Sequence, residues 1–366
     1  MKALRKFLSA EKNHAVLIPV IAVLFGFLLG ALVLLISGEN PLVLFKSIIR
    51  AVFGINIDRI GTGKRFFSIR LIGEYFVYVM PIVLTGLSVA FSFRTGMFNI
   101  GAEGQLLMGA AFATVVGVLV EAPAIILLPL VVLAGMIGGG LWGFIPGYLK
   151  AKFNVHEVVV TIMLNYAGMY LANYILLSLP GSTTSETVAL HDGALLKSHF
   201  LSALTGNSRF HFGFVIVILA ILAFGFIINK TTFGYELKSV GYNPFASSYA
   251  GMRVRKDAAL SMVISGAFAG LAGVIIVCGT FGRGRMLPFF ENYGFDGITV
   301  ALVGANTAIG SLFGALLLGA LKAAQPLMQG QGVPNAIAII ISSSIIVFIA
   351  IRRQIQKTLV KLGEGL

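Results

Sequence analysis

Apolar residues in this chain run in blocks of roughly 20, separated by short polar stretches, and a block of that length is what a helix needs to cross the hydrocarbon core of a bilayer. The pattern predicts ten helices, over 15–37, 74–93, 105–120, 122–147, 158–179, 213–229, 259–278, 295–306, 308–328 and 333–351. The eighth segment, and the turn between the second and third, are too short or too rich in glycine for ordinary spans, so either is a candidate re-entrant element. The expected fold is an all-α polytopic membrane protein. Residues 1–366 form one transmembrane domain, with no room for a separate catalytic domain. The first block has basic residues before it, as a signal peptide does. It is longer than a signal h-region and no A-x-A-like site follows it, so it reads as a retained helix.

Composition supports the membrane reading. With 57% hydrophobic and 11% charged residues, the chain has too little polar surface to cover a soluble globule of this size. The net charge of +13 raises the question of nucleic acid, but the basic residues cluster between apolar blocks instead of lining one face. Topology accounts for them better. If all ten segments cross, both termini share a side, and the segments on that side together with Arg94 carry 16 of the 27 Lys and Arg residues. That side is expected to be cytoplasmic, in the inner or plasma membrane. Residues 46–70 are the exception, with six basic residues on the expected outer side. This outer segment, 38–73, is expected to hold a partly amphipathic surface helix over residues 42–53. Residues 180–212 form the largest outer loop, and 230–258 a cytoplasmic segment.

A weak internal repeat runs through the chain. Residues 86–90 (GLSVA) reappear at 297–301 (GITVA), and Gly104, Leu107 and Gly109 have counterparts 210 positions later in Gly314, Leu317 and Gly319. Broken apolar segments at corresponding places in two halves are a device of transport proteins, although glycine at this spacing is also ordinary helix packing.

Several polar residues interrupt the apolar blocks. Arg94, Asn99, Glu103 and Gln105 fall between the second and third helices, either in a structured break beside a translocation path or in a solvated turn. His156 and Glu157 stand at a helix start, where a carboxylate suits the helix dipole, and Asn165 lies two turns inside. A buried amide there serves either interhelical hydrogen bonding or pathway lining. The single cysteine, Cys278, sits in an apolar block and excludes an internal disulfide or a Cys-based zinc site. No G-x-S-x-G, H-E-x-x-H or Walker A motif occurs, and the five histidines lie in or beside loops, so no catalytic residues, metal site or cofactor are expected. Acids within the blocks are too few for a proton relay.

The cytoplasmic segment 232–252 reads TFGYELKSVGYNPFASSYAGM, a short amphipathic stretch, a turn and a second helix start. It resembles the coupling region of ABC importer permeases of the branched-chain amino acid, ribose and nucleoside class, in which a G-x-E-x-x-x-x-G-x-N-P pattern docks onto the ATPase. Residues 93–105, 157–165 and 294–304 are similar to three further ordered motifs of that class, and the likeness extends over about 74–350. After Gly304 the sequence departs from the family pattern. Within the class, the first and third motifs look most like the simple sugar and nucleoside branch, closest to bacterial nucleoside permeases.

The resemblance implies a permease subunit without enzymatic activity of its own. Its partners are a cytoplasmic ABC ATPase, a second homologous permease and an extracellular substrate-binding lipoprotein. It places the ATPase contact at Gly234, Glu236, Gly241, Asn243 and Pro244. The implied solute is a nucleoside, or alternatively a simple sugar of the ribose or galactose type. A nucleoside is uncharged but carries hydroxyls and an aromatic base, so its route is expected among Tyr78, Asn99, Glu103, Gln105, Thr161, Asn165 and Tyr166.

Overall fold

The computed structural model describes residues 11–334, 336–351 and 354–358 and is almost wholly helical. Six of the basic residues used to orient the chain (Lys2, Arg5, Lys6, Arg352, Arg353 and Lys361) lie outside the described residues. Eight described helices are long and apolar enough to cross a membrane: α1 (Glu11–Ile36), α3 (Ile69–Arg94), α4 (Ala102–Leu119), α5 (Ala124–Phe153), α6 (Glu157–Leu177), α8 (Gly213–Lys230), α11 (Val254–Val274, continued by a π-helical turn over Ile275–Phe281) and α13 (Ala308–Gln329). Two shorter apolar helices, α12 (Tyr293–Val303) and α14 (Ala336–Ala350), complete the ten expected segments. At 11 residues α12 rises only about 16 Å, half a hydrocarbon core. The remaining described helices are short: α2 (Leu42–Phe53), α7 (His199–Leu204), α9 (Thr232–Tyr242) and α10 (Pro244–Tyr249). The chain is therefore a multi-pass membrane protein.

The core sits around α3 and α11, the most deeply enclosed helices, while α1, α5, α6 and α8 turn most of their surface outward. Apolar side chains gain little from meeting one another when lipid is equally apolar, so close backbone approach has to hold such helices together. Glycines supply it. A Cβ on Gly139 or Gly143 of α5 would overlap the backbone of Gly266 or Met262 on α11, and one on Gly109 of α4 would overlap Gly270.

Several helices run beyond their expected ends. Helix α3, the second expected segment, begins at Ile69, not 74, and α5, the fourth, runs to Phe153, not 147. Stretches with isolated charges, Arg70 in α3 and Lys150 and Lys152 in α5, continue these helices beyond their apolar blocks. Lys150 in the last turn of α5 pairs with Glu157 at the start of α6 at 3.1 Å.

The break after α3 is a return. The chain turns at Gly96, whose φ of 71° suits glycine, runs without helix through residues 97–100, and enters α4 at Ala102. Arg94 Nε donates to the Asn306 carbonyl at 2.8 Å, whereas Thr85 Oγ1 donates to the Tyr293 carbonyl at 2.8 Å and Glu103 meets the neighbouring Gly294. Glu103 is thus level with Thr85, about 13 Å back along α3 from Arg94. The segment climbs back alongside the helix it follows, and α4 starts part-way along α3.

The same contacts place the two similar stretches side by side. A Cβ on Gly86 would overlap Val300, and one on Gly297 would overlap Thr85, so residues 86–90 and 297–301 pack together and run in the same direction. Where the sequence departs from the family pattern, Ala305 and Asn306 both take positive φ, 50° and 55°, in a tight turn into α13. Thr307 caps that helix by accepting the Gly310 N–H at 3.1 Å.

Candidate functional site

A cavity of about 580 Å³ opens between α3, the segment entering α12, and helices α13 and α14. Its wall combines aliphatic side chains with aromatic and neutral polar groups, among them Tyr78, Phe290, Phe295, Asn292, Gln325 and Ser343. Two ionisable residues on facing helices, Asp296 of α12 and Lys322 of α13, pair at 2.9 Å. Lys322 Nζ also donates to the Glu291 carbonyl at 2.6 Å and lies 4.2 Å from the centroid of the Tyr293 ring. Glu291 in turn binds Arg285 at 2.7 Å. The cavity therefore offers paired charges, not a free charged clamp. Thr299 Oγ1, a buried hydroxyl on the same wall, has no partner among the described residues.

Glu103 holds the rim of this cavity from behind. Fully buried, its carboxylate accepts the Asn292 N–H at 3.0 Å and the Gly294 N–H, at the N-terminal end of α12, where a negative group is favoured by the unpaired N–H groups and the helix dipole. No room is left for a side chain there, because a Cβ on Gly294 would overlap the Glu103 backbone.

The other residues expected along a path divide clearly. Tyr78 lines the cavity. Asn99 and Gln105 are buried in a polar knot: Asn99 Nδ2 donates to Gln105 Oε1 at 2.7 Å and to Ser265 Oγ at 2.8 Å, and Asn99 Oδ1 accepts the Gly101 N–H at 2.9 Å. Ser265 Oγ donates to the Ser88 carbonyl at 2.6 Å, so the knot ties α3, α4 and α11. Asn165 accepts the Gly104 N–H at 2.8 Å and donates to the Ile100 carbonyl at 3.0 Å, which satisfies one backbone group in the first turn of α4 and one in the return segment. Thr161 donates to the Glu157 carbonyl at 2.8 Å within its own helix and packs beside Gly101. Tyr166 is exposed, its ring edge-on to Phe290 at 5.0 Å. The structure thus brings Tyr78 to the cavity wall and Glu103 behind its rim, and does not bring Asn99, Gln105, Thr161 or Asn165 to its lining.

Asp296, Lys322, Gln325 and Ser343 were not singled out from the sequence. Lys322 and Asp296 carried a usable signal, since each is an ionisable residue inside an apolar block and such groups seldom occur there without a role.

On the far side of the return segment lie α9 and α10. Thr231 and Asn243 cap them, accepting the Gly234 and Ala246 N–H groups at 2.9 and 3.0 Å, and Pro244 takes the first helical position of α10, where its missing N–H costs nothing. Gly234 is buried against the Ile227 carbonyl, and a Cβ on Gly241 would lie 2.6 Å from the Arg94 carbonyl. Gly241 therefore seats α9 on the turn that starts the return segment, and Glu236 is half-buried. What projects outward is aromatic: Tyr235, Tyr242, Phe245 and Tyr249, exposed by 63–95%. Together they leave an exposed aromatic patch on two short helices.

At the opposite end, Arg209 grips Glu74 through its backbone N–H and two guanidinium nitrogens, at 3.0, 2.9 and 2.6 Å. His211 beside it is buried, accepts the Gly213 N–H on Nδ1 at 3.0 Å and lies flat on Gly279 of the π-helical turn. Burial, aided by Lys197 and Arg209, pushes its pKa down to about 4.

A half-length helix and a return segment that breaks the apolar spans are features that transport proteins use. The chain is a member of the family described as branched-chain amino acid transport system permease component, whose model matches residues 71–350. It is 45% identical to the guanosine ABC transporter permease protein NupP of Bacillus subtilis, over 91% of this chain and 92% of that protein. Identity is 38% to the nucleoside ABC transporter permease protein NupB of Lactococcus lactis subsp. cremoris, over 96% and 95% of the two chains. The glucose ABC transporter permease protein TsgB13 of Haloferax volcanii is 31% identical, over 90% and 86%. No solved structure matches the chain.

Proposed function

We propose that this chain is the membrane-spanning permease subunit of an ATP-driven ABC importer for nucleosides, with both termini cytoplasmic. The carrying observation is the cavity wall. Tyr78, Phe290 and Phe295 offer rings to a base, while Asn292, Gln325 and Ser343 offer amide and hydroxyl groups to its edge and to a ribose. The charges present are already paired, as suits an uncharged solute. Likeness to guanosine and nucleoside permease proteins supports the same reading.

A cytoplasmic ATPase docks on Tyr235, Tyr242, Phe245 and Tyr249. Gly234, Glu236, Gly241, Asn243 and Pro244 give that surface its shape, and Gly241 carries its movement to the return segment. A second permease completes the pathway, and a lipoprotein delivers solute from the outer side. This assignment makes residues 38–73 and 180–212 outer and 230–258 cytoplasmic within one transmembrane domain.

Simple sugars are the second reading, supported by the glucose permease protein at 31% identity. Uptake by a strain lacking this gene separates the two. Loss of nucleoside uptake and resistance to toxic nucleoside analogues support the first. Unchanged nucleoside uptake with loss of ribose or galactose uptake replaces it with the second.

A further inference from the structure

Residues 46–70 break the charge rule that orients the rest of the chain, and nothing in the transport reading uses them. They carry six basic residues against one acid, Asp58, which is spent on Lys46. Helix α2 ends at Gly54, whose φ of 71° turns the chain, and an isolated antiparallel bridge between Ile55 and Phe67 closes a loop at the entry to α3. The Asn56 N–H donates to the Phe66 carbonyl at 2.7 Å and the Ser68 N–H to the Gly54 carbonyl at 2.9 Å, so the loop is hydrogen-bonded at its base.

A pocket of about 370 Å³ sits there, lined by four arginines, Arg50, Arg59, Arg65 and Arg70. None of the four pairs with a carboxylate among the described residues. Arg65 Nε turns inward to the Phe67 carbonyl at 3.2 Å, which holds its guanidinium beside the pocket. Around the arginines stand exposed apolar side chains: Phe53, Ile60, Phe66, Phe67 and Ile69. Water is a poor solvent for that rim and like charges repel across the pocket, so both features call for one amphiphilic anion.

We propose that this pocket binds the phosphate headgroup of an anionic phospholipid, with the apolar rim entering the acyl boundary beside it. Arginine forks match phosphate oxygens in pairs, and cations next to an apolar surface are how a protein recognises a charged lipid surface. The acidic face of a soluble partner would satisfy the guanidinium groups but leave the phenylalanine and isoleucine rim in water.

The test uses the full chain purified in detergent and offered phosphatidylglycerol, phosphatidylcholine or inorganic phosphate, with retained lipid counted by native mass spectrometry and the unfolding midpoint followed. Wild type is expected to retain about fivefold more phosphatidylglycerol than phosphatidylcholine and to be stabilised by the former alone. The Arg59→Gln/Arg65→Gln variant, changed at two exposed positions, should keep the wild-type midpoint without lipid and lose the preference. Equal retention of both lipids by wild type, an undiminished preference in the variant, or the same stabilisation by inorganic phosphate would each overturn the proposal.

Discussion

Glu103 accepts the backbone N–H of Gly294 across 191 positions of chain, and so joins the first turn of α4 to the N-terminal end of the short helix α12. Both helices begin part-way along α3, and from the first turn of α4 this carboxylate serves the entry of α12. Substituting Glu103→Gln keeps the size but aims an amide donor at N–H groups that need an acceptor. The expected result is a protein that inserts normally, is less stable by about 2 kcal/mol and transports roughly tenfold more slowly. Thermal unfolding in detergent alongside uptake checks this; wild-type values for both would show that the clamp is idle.

Cysteine scanning separates the wall of the cavity from the packing behind it. In a Cys278→Ser background, cysteines at Tyr78, Gln325 and Ser343 should react with small water-soluble thiol reagents, and the rates should change with ATP and solute. Cysteines at Asn99, Gln105 and Asn165 should stay inert in every state, since these side chains are enclosed by protein. The reverse pattern would move the pathway to the polar knot.

Docking should depend on the exposed aromatics and coupling on the buried glycine. Phe245→Ala removes a side chain that touches little within the chain, so it is expected to cut co-purification of the ATPase by about tenfold while leaving thermal stability unchanged. For Gly241→Val the expectation is the converse, retained ATPase with lost uptake, because the added atoms strike the Arg94 carbonyl and unseat α9 from the return segment. Normal transport by Gly241→Val would break the proposed link.

Acid should weaken the end of the molecule that holds Glu74 and Arg209 through His211. Its pKa lies near 4 in the folded protein against an ordinary 6.5, so the unfolded chain binds the extra proton first as pH falls. Stability from this group is complete above pH 6.5 and declines down to about pH 4, by on the order of 3 kcal/mol in full. Unfolding midpoints measured from pH 7.5 to 5 should fall more steeply for wild type than for His211→Asn, and parallel slopes would remove His211 as the cause.

Much of the fold was legible because bilayer thickness leaves so few choices. Ten apolar blocks became ten helices, and the amphipathic stretch 42–53 became α2 with those bounds. Side-chain direction was not legible. Helices α4 and α6 are apolar nearly all round, so no periodicity tells which side of Gln105 or Asn165 faces protein and which a cavity. The π-helical turn at Ile275–Phe281 was also invisible, since it belongs to a tertiary fit between Gly279 and the His211 ring. Lys322 and Asp296 needed no structure to be noticed; what needed one was their pairing across two helices.

Solute is expected to pass through the cavity between α3 and α13. The most direct test is ATP-driven accumulation of a labelled purine nucleoside in proteoliposomes that hold this chain with its ATPase and second permease, and with the binding protein outside. Wild type is compared with Ser343→Trp, whose indole would fill the cavity. Wild type is expected to accumulate the nucleoside and the variant to lose at least tenfold, with the ATPase still bound and ATP still hydrolysed. Undiminished nucleoside accumulation through the filled cavity would contradict this route.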